Sequence, residues 1–370
     1  MSVDYHEKFK LKKVINASGK MTILGVSRVT NKVANAQKFG GQSFFDMEDL
    51  LLKTGQYLAD LLQAPASHIV SCASAGIVQS VAAIIGRGSK AHLYRPYDQA
   101  LTDVRDIIIP KGHNVDYGTP VELMISQGGG RVVEAGYANM CQGEHLEMMI
   151  NEKTAAIFYV KSHHTVQKSM LSVAEAIAVG KAYDLPVIID AAAEEDLHEY
   201  IAQGADLVIF SGAKAIGGPS SGLVVGKERY IDWVRLQGKG LGRSMKIGKE
   251  NILGFTQAIE DYLMLGCESG ADMKKRLIPF VRQLNQIPHL EAKMVQDASG
   301  RAIYRASVKV SGMKTAKEIV TLLKEKDPVI YTREYQVNHG IIEFDIRDVN
   351  ADEMDQIVKR LTEMMQSEEK

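Results

Sequence analysis

The sequence predicts an α/β fold, a large and mostly parallel sheet with crossover helices, joined to a small C-terminal α+β unit. Three observations predict it. From about residue 45 to 226, short apolar runs alternate with helix-period segments, the pattern of successive strand–helix–strand units. Several of those runs are nearly uninterrupted, as strands covered on both faces require. After residue 226 a long helical stretch leads into a shorter series of strands and helices.

In order along the chain, Leu50, Leu51, Leu58, Leu61 and Leu62 mark the buried stripe of an amphipathic helix, and HIVSC (68–72) reads as the strand after it. Further strands are expected at DIIIP (106–110), RVVEA (131–135), AAIFYV (155–160), PVIID (186–190), DLVIF (206–210) and GLVVG (222–226). SVAEAIAVGKAYDL (172–185) opens on a serine and has helix-forming composition, which suits a crossover helix. ENILGFTQAIEDYLMLG and MKKRLIPFVRQLNQI read as a helical connector. The remainder reads strand, strand, helix, strand, strand, helix. The expected division is an N-terminal segment (1–45) packing on the active site, a large domain (46–270) and a small domain (271–370).

Composition narrows the function classes. Among 370 residues, 44 Lys and Arg stand against 45 Asp and Glu, a net charge of −1. That balance gives no general pull toward nucleic acid or an anionic membrane. Cys72, Cys141 and Cys267 lie far apart, without the paired spacing of a disulfide framework or a zinc ribbon. The first residues are charged, and no stretch approaches the apolar length of a membrane span. A cytoplasmic protein with a small-molecule substrate and no metal is expected.

The sharpest chemical feature is DLVIFSGAKAIGGPSSGLVVG (206–226). Lys214 follows a strand through the small residues Ser211, Gly212 and Ala213, so a flat ligand can come close to it. Burial would favour its neutral amine, the form that attacks carbonyls. Asp190 ends the preceding strand, so both side chains emerge at the carboxyl edge of neighbouring strands, where open α/β sheets bind ligands. Ser74, Ala75 and Gly76 follow HIVSC at a strand–helix turn, and their amides, with the Ser74 hydroxyl, offer an anion site. That turn lacks both the Gly-Lys-Ser/Thr of a Walker loop and the spaced glycines of a dinucleotide fingerprint. Taken singly, a solvated lysine, a helix-capping aspartate and an ordinary turn fit these residues as well. Taken together they suit pyridoxal 5'-phosphate (PLP), which needs a lysine, an acid beside its ring nitrogen and a phosphate cradle. His163 and His164 follow another strand end and suit a place beside cofactor or substrate, or on the surface.

The chain resembles the selenocysteine synthase group of aspartate-aminotransferase-type (fold type I) PLP enzymes, and most closely its shorter members, the D-glucosaminate-6-phosphate ammonia-lyases. The resemblance spans roughly residues 13–365 and rests on KVINASG, SCASAG, PKGHNVDYG, VIIDAAAEED, FSGAKAIGGPSSGLVVG, GRSMKIGKE and GIIEFDIRDV. It implies a homodimer or larger homo-oligomer with shared active sites, with Lys214 bonded to the cofactor and Asp190 at the pyridine nitrogen. It further implies that His113 flanks the ring, Ser211 lies in the cofactor site, and Lys246 approaches the phosphate. Arg347 would clamp the substrate α-carboxylate, with Ser18, Gly19 and His163 near the substrate.

Two departures from the selenium enzymes stand out. Val26 follows the Leu-Gly pair where those enzymes carry arginine, with Arg28 two places later. The amino-terminal extension that grips tRNA is also expected to be missing. The implied reaction is therefore α,β-elimination on a phosphorylated 2-amino-2-deoxy sugar acid, D-glucosaminate 6-phosphate first. A selenium transferase acting on seryl-tRNA and a catalytically silent PLP-binding homologue are the alternatives.

Overall fold

The computed structural model describes residues 3–162, 164–297 and 301–366. It divides into two compact units, Val29–Leu265 and a second one built from Met1–Arg28 with Gly266–Lys370. Residues 1–28 thus fall in the smaller unit and 29–45 in the larger one. Val14–Ala17 pairs in parallel with Val329–Thr332, which ties the start of the chain into the smaller unit.

The larger unit is built on seven strands: β1 (Ala66–Val70), β2 (Asp106–Pro110), β3 (Arg131–Ala135), β4 (Thr154–Val160), β5 (Val187–Asp190), β6 (Leu207–Ser211) and β7 (Gly222–Gly226). Their order across the sheet is β1-β7-β6-β5-β4-β2-β3. All neighbours run parallel except β7, which is antiparallel to both β6 and β1. The expected strands are all present, with ends shifted by up to two residues.

Side chains alternate across the sheet and feed two apolar layers. Ile157, Tyr159, Val187, Ile189, Val208 and Phe210 enter one layer, with the helix Val173–Ala182. Phe158, Val160, Ile188, Leu207 and Ile209 enter the other, where the helix Ala73–Gly86 contributes Ile77, Val78, Val81 and Ile84. Both layers are dry, so the strands read as continuous apolar runs. The crossover helix Val173–Ala182 starts with a capping box between Ser172 and Glu175, as the serine start signal predicts.

The connector consists of two helices, Lys249–Leu265 and Gly270–Leu284, parted at Gly266 in a left-handed conformation (φ +69). In the smaller unit, Leu290–Gln296, Tyr304–Val310 and Ile341–Phe344 form an antiparallel sheet with Tyr304–Val310 in the centre. Helices Ala316–Leu323 and Ala351–Gln366 supply Ile319, Leu323, Ile357 and Leu361 to its core, together with Ile15 and Ala17.

Candidate active site

β5 carries Asp190 out of the sheet at its carboxyl end. Alternation places the side chain on the same face as Ile188, the face covered by the helix Ala73–Gly86. Asp190 is only 4% exposed. Its Oδ1 accepts from the Ala192 amide at 3.1 Å and its Oδ2 from the Tyr117 hydroxyl at 3.5 Å. Burial pushes this carboxyl above the usual carboxylate range, against the pull of the Lys214 charge, the Ala192 amide and the Tyr117 hydroxyl. Such a group gains from an adjacent cation, because pairing offsets the cost of holding charge away from water.

The adjacent strand β6 delivers Lys214 through a loop that is clipped shut. The Gly212 amide donates to the Ser221 carbonyl at 2.9 Å and the Gly218 amide to the Gly212 carbonyl at 2.7 Å. Only glycine fits at 212, since a Cβ there would lie 2.0 Å from Ser221 Oγ and 2.8 Å from the Phe255 ring. Lys214 is half-buried, with Nζ 5.9 Å from the centroid of the Tyr117 ring. Tyr117 therefore lies near both the amine and the buried carboxylate. Burial, with the Asp190 charge, keeps its phenol protonated far beyond neutral pH, so it serves Asp190 as a donor.

The helix Ala73–Gly86 points its first turn at the same edge of the sheet. Cys72 caps it, with Sγ accepting from the Ala75 amide at 3.4 Å. The Gly76 amide is committed to the Cys72 carbonyl at 3.0 Å, so Gly76 is not an anion donor as expected. Its value is close packing, since a Cβ at 76 would meet Ile209 at 3.0 Å and Val224 at 3.2 Å. Ser74, half-buried on the first turn, remains in place for an anion, while the Ala75 amide is turned to Cys72 Sγ. Ser211 ends β6, its amide directed at the Ala192 carbonyl at 3.3 Å.

His113 departs from the expectation. Its fully buried ring meets Tyr159 edge-on at 4.5 Å, and Nε2 lies 3.2 Å from the Val166 carbonyl. Tyr159 belongs to the apolar layer on the sheet face opposite Asp190. Desolvation pushes the imidazole down to about 4, against the Val166 bond. Tyr117, four residues on, is the aromatic side chain that lies near Lys214 and Asp190. Lys246 is exposed and lines a cavity of about 1050 Å³ with His68, Ile69, Gln79, Arg235 and Ile247; Lys214, Asp190, Tyr117 and Ser74 are not among its lining residues. His163 lies outside the described residues. His164 is described, and partial burial with the Lys214 charge holds its imidazole below the usual histidine range.

The smaller unit assembles Ser18, Gly19 and Arg347. The Arg347 guanidinium makes two parallel bonds to Asp345, Nε to Oδ1 at 2.9 Å and Nη2 to Oδ2 at 2.8 Å. Asp345 is fully buried and also accepts from Arg305 Nε at 3.1 Å. Gly19 turns with φ +90 directly over this pair, and a Cβ would lie 2.9 Å from Asp345 Oδ2 and 3.2 Å from Arg347 Nη2. The turn is held by Asn16, which accepts from the Ser18 hydroxyl at 2.8 Å and donates to the Gly19 carbonyl at 2.9 Å. Arg28 is engaged with Glu353, and Lys20 with Asp348.

Sequence reasoning missed Tyr117; for Arg347 it left open a salt bridge with Asp345 or Asp348, and the structure pairs Arg347 with Asp345.

Comparison with known proteins agrees with this geometry. A family model described as L-seryl-tRNA selenium transferase matches residues 59–315. The chain is 43% identical over 367 residues to the D-glucosaminate-6-phosphate ammonia lyase of Salmonella typhimurium, covering 98% of both chains. It is 35% identical over 361 residues to a 5'-C-glycyluridine monooxygenase-decarboxylase of a Streptomyces species, covering 95% of this chain and 90% of the other. A solved structure of D-glucosaminate-6-phosphate ammonia-lyase matches the whole of both chains with a TM-score of 0.94 and 42% identity. With a strand-end lysine beside a buried strand-end aspartate, the chain belongs to the L-seryl-tRNA selenium transferase (SelA) family of fold type I PLP enzymes.

Proposed function

We propose that the protein is a PLP-dependent ammonia-lyase that converts D-glucosaminate 6-phosphate to 2-keto-3-deoxygluconate 6-phosphate and ammonia. One observation carries the reading: an amine, an aromatic ring and a buried carboxylate converge at neighbouring strand ends, in a chain 43% identical to such a lyase over 98% of its length. The donor set suits the cofactor, since Lys214 offers the amine, Asp190 a buried anion for the ring nitrogen, and Ser74 on the helix's first turn an amide and a hydroxyl for the phosphate. When bound, PLP supplies an electron sink for the bonds at the substrate's α-carbon.

The chain's own residues supply the rest. Lys214 Nζ takes the α-proton, and Asp190 keeps the ring nitrogen protonated. Tyr117 flanks the ring, in place of His113. His164 stands within electrostatic reach of Lys214. Arg347, pre-aimed by Asp345, takes the α-carboxylate by the two-bond geometry guanidinium favours. Loss of the β-hydroxyl as water and hydrolysis of the resulting enamine leave a 2-oxo acid and ammonia, with no net change in oxidation state.

Phe39 (61% exposed) and Phe44 (100%), with Met47 and Leu52, face solvent beside the Lys246 cavity. That much exposed apolar surface supports a homo-oligomer, with a second copy covering this face. Cys72 and Cys141 are free thiols, which suits the cytoplasm. The balanced net charge suits a small-molecule substrate rather than tRNA.

The test is incubation of PLP-loaded protein with D-glucosaminate 6-phosphate. Ammonia and 2-oxo acid should appear in equal amounts, with no oxygen uptake. Oxygen consumption with release of carbon dioxide would favour the chemistry named for the Streptomyces relative. A requirement for a second keto acid would make it a transaminase.

A further inference from the structure

Tyr117 lies near both Lys214 and Asp190, and among the described residues its hydroxyl bonds Asp190 Oδ2 at 3.5 Å and the weak acceptor Met124 Sδ at 3.8 Å. The carboxylate it meets is buried, and one of its oxygens is already fixed by the Ala192 amide. From this geometry we infer that Tyr117 is the positioning residue of Asp190, fixing through its hydroxyl which oxygen is presented to the cofactor ring nitrogen and keeping that carboxylate charged. The inference rests on the reading of Asp190 as the partner of a PLP ring.

The physical reason is the balance at Asp190. Burial favours the neutral acid, and the groups opposing it are Lys214 from the loop after β6, the Ala192 amide and the Tyr117 hydroxyl from the segment after β2. The amide is backbone and cannot vary. The lysine's charge changes as it binds and releases carbonyl carbons and carries protons. Tyr117 alone is a side chain whose donor persists throughout, because its phenol does not ionise near neutral pH. Removing the hydroxyl while keeping the ring withdraws one stabiliser of the charged form, so Asp190 becomes protonated at higher pH. A neutral Asp190 no longer holds a protonated ring nitrogen.

The experiment compares wild type, Tyr117→Phe, Asp190→Asn and the double variant. PLP is titrated into each apo-protein across pH 5.5–8.5 and followed by its visible band, alongside thermal melting and steady-state kinetics. Tyr117→Phe should melt like wild type and bind PLP within about threefold of wild type at pH 8. Its affinity should be about tenfold weaker at pH 6, with the acid limb of the binding profile displaced upward. Turnover should fall about tenfold with KM nearly unchanged. In the Asp190→Asn background the same change should add nothing.

The inference is overturned if Tyr117→Phe keeps the wild-type acid limb and turnover within twofold. It is equally overturned if the loss is uniform across pH and accompanied by a lower melting temperature, or if it persists in the Asp190→Asn background. Failure of the underlying reading looks different: wild-type protein would show no visible PLP band that borohydride bleaches.

Discussion

Asp345→Asn isolates a single buried charge at nearly constant volume. The carboxylate is fully buried, and accepts two bonds from Arg347 at 2.9 and 2.8 Å and one from Arg305 at 3.1 Å. Arg305 is itself 3% exposed and retains Asp297, 2.7 Å away, as its other partner. The asparagine removes the charge and turns one acceptor into a donor facing a guanidinium. Breaking a buried pair by removing one partner costs about 3–5 kcal/mol, far more than a surface pair. Urea unfolding followed by circular dichroism should show that loss, with Trp233 fluorescence reporting the larger unit alongside.

The pH dependence has a definite sign. Burial alone would raise this carboxyl, but the Arg347 and Arg305 guanidiniums hold it below its ordinary value of 3.8. A depressed folded value means that the stabilisation is present above pH 3.8 and is lost as pH falls through the folded value. The gap between wild type and variant should therefore be constant from pH 5 to 8 and narrow only below about pH 4. A variant within about 1 kcal/mol of wild type at neutral pH would refute the view that Asp345 anchors Arg347.

Three further outcomes follow from the site. Lys214→Ala should abolish the borohydride-sensitive band and lower turnover by at least about 10²- to 10⁴-fold, as single-turnover kinetics would measure. Arg347→Ala should keep the band and raise KM by roughly 10- to 150-fold, the equivalent of a charge-assisted bond worth about 1.5–3 kcal/mol; wild-type kinetics would move the carboxylate clamp elsewhere. Phe44→Asp should weaken assembly by placing a charge on a fully exposed ring position, seen as a smaller species in light scattering, while the melting temperature of the isolated species is retained.

The strands were legible because they are dry on both faces, so Ile107, Ile108 and Ile109 or Val187, Ile188 and Ile189 read as unbroken apolar runs. The direction of β7 was not, because GLVVG reads the same in a parallel or an antiparallel strand. Pairing of Val14–Ala17 with Val329–Thr332 joins opposite ends of the chain, and no local pattern announces such a partner. Lys214 and Asp190 were legible from their places at strand ends, which alone set where they emerge. His113 was not, because the 3₁₀ turn Lys111–His113 after β2 decides which face each following residue serves, and motif position cannot count through it. Tyr117, in an Asp-Tyr-Gly turn, reads as a surface aromatic until the fold lays it against Asp190.

That turn after β2 has a genetic consequence. His113 and Tyr117 are four positions apart, yet one packs on Tyr159 in an apolar layer and the other bonds Asp190, on the opposite face of the sheet. Alleles of this short segment should fall into two complementation-like classes, one rescued by low growth temperature and one indifferent to it. A randomised library over 111–118, selected first for soluble protein and then for turnover, would sort the two faces of the sheet without a structure in hand.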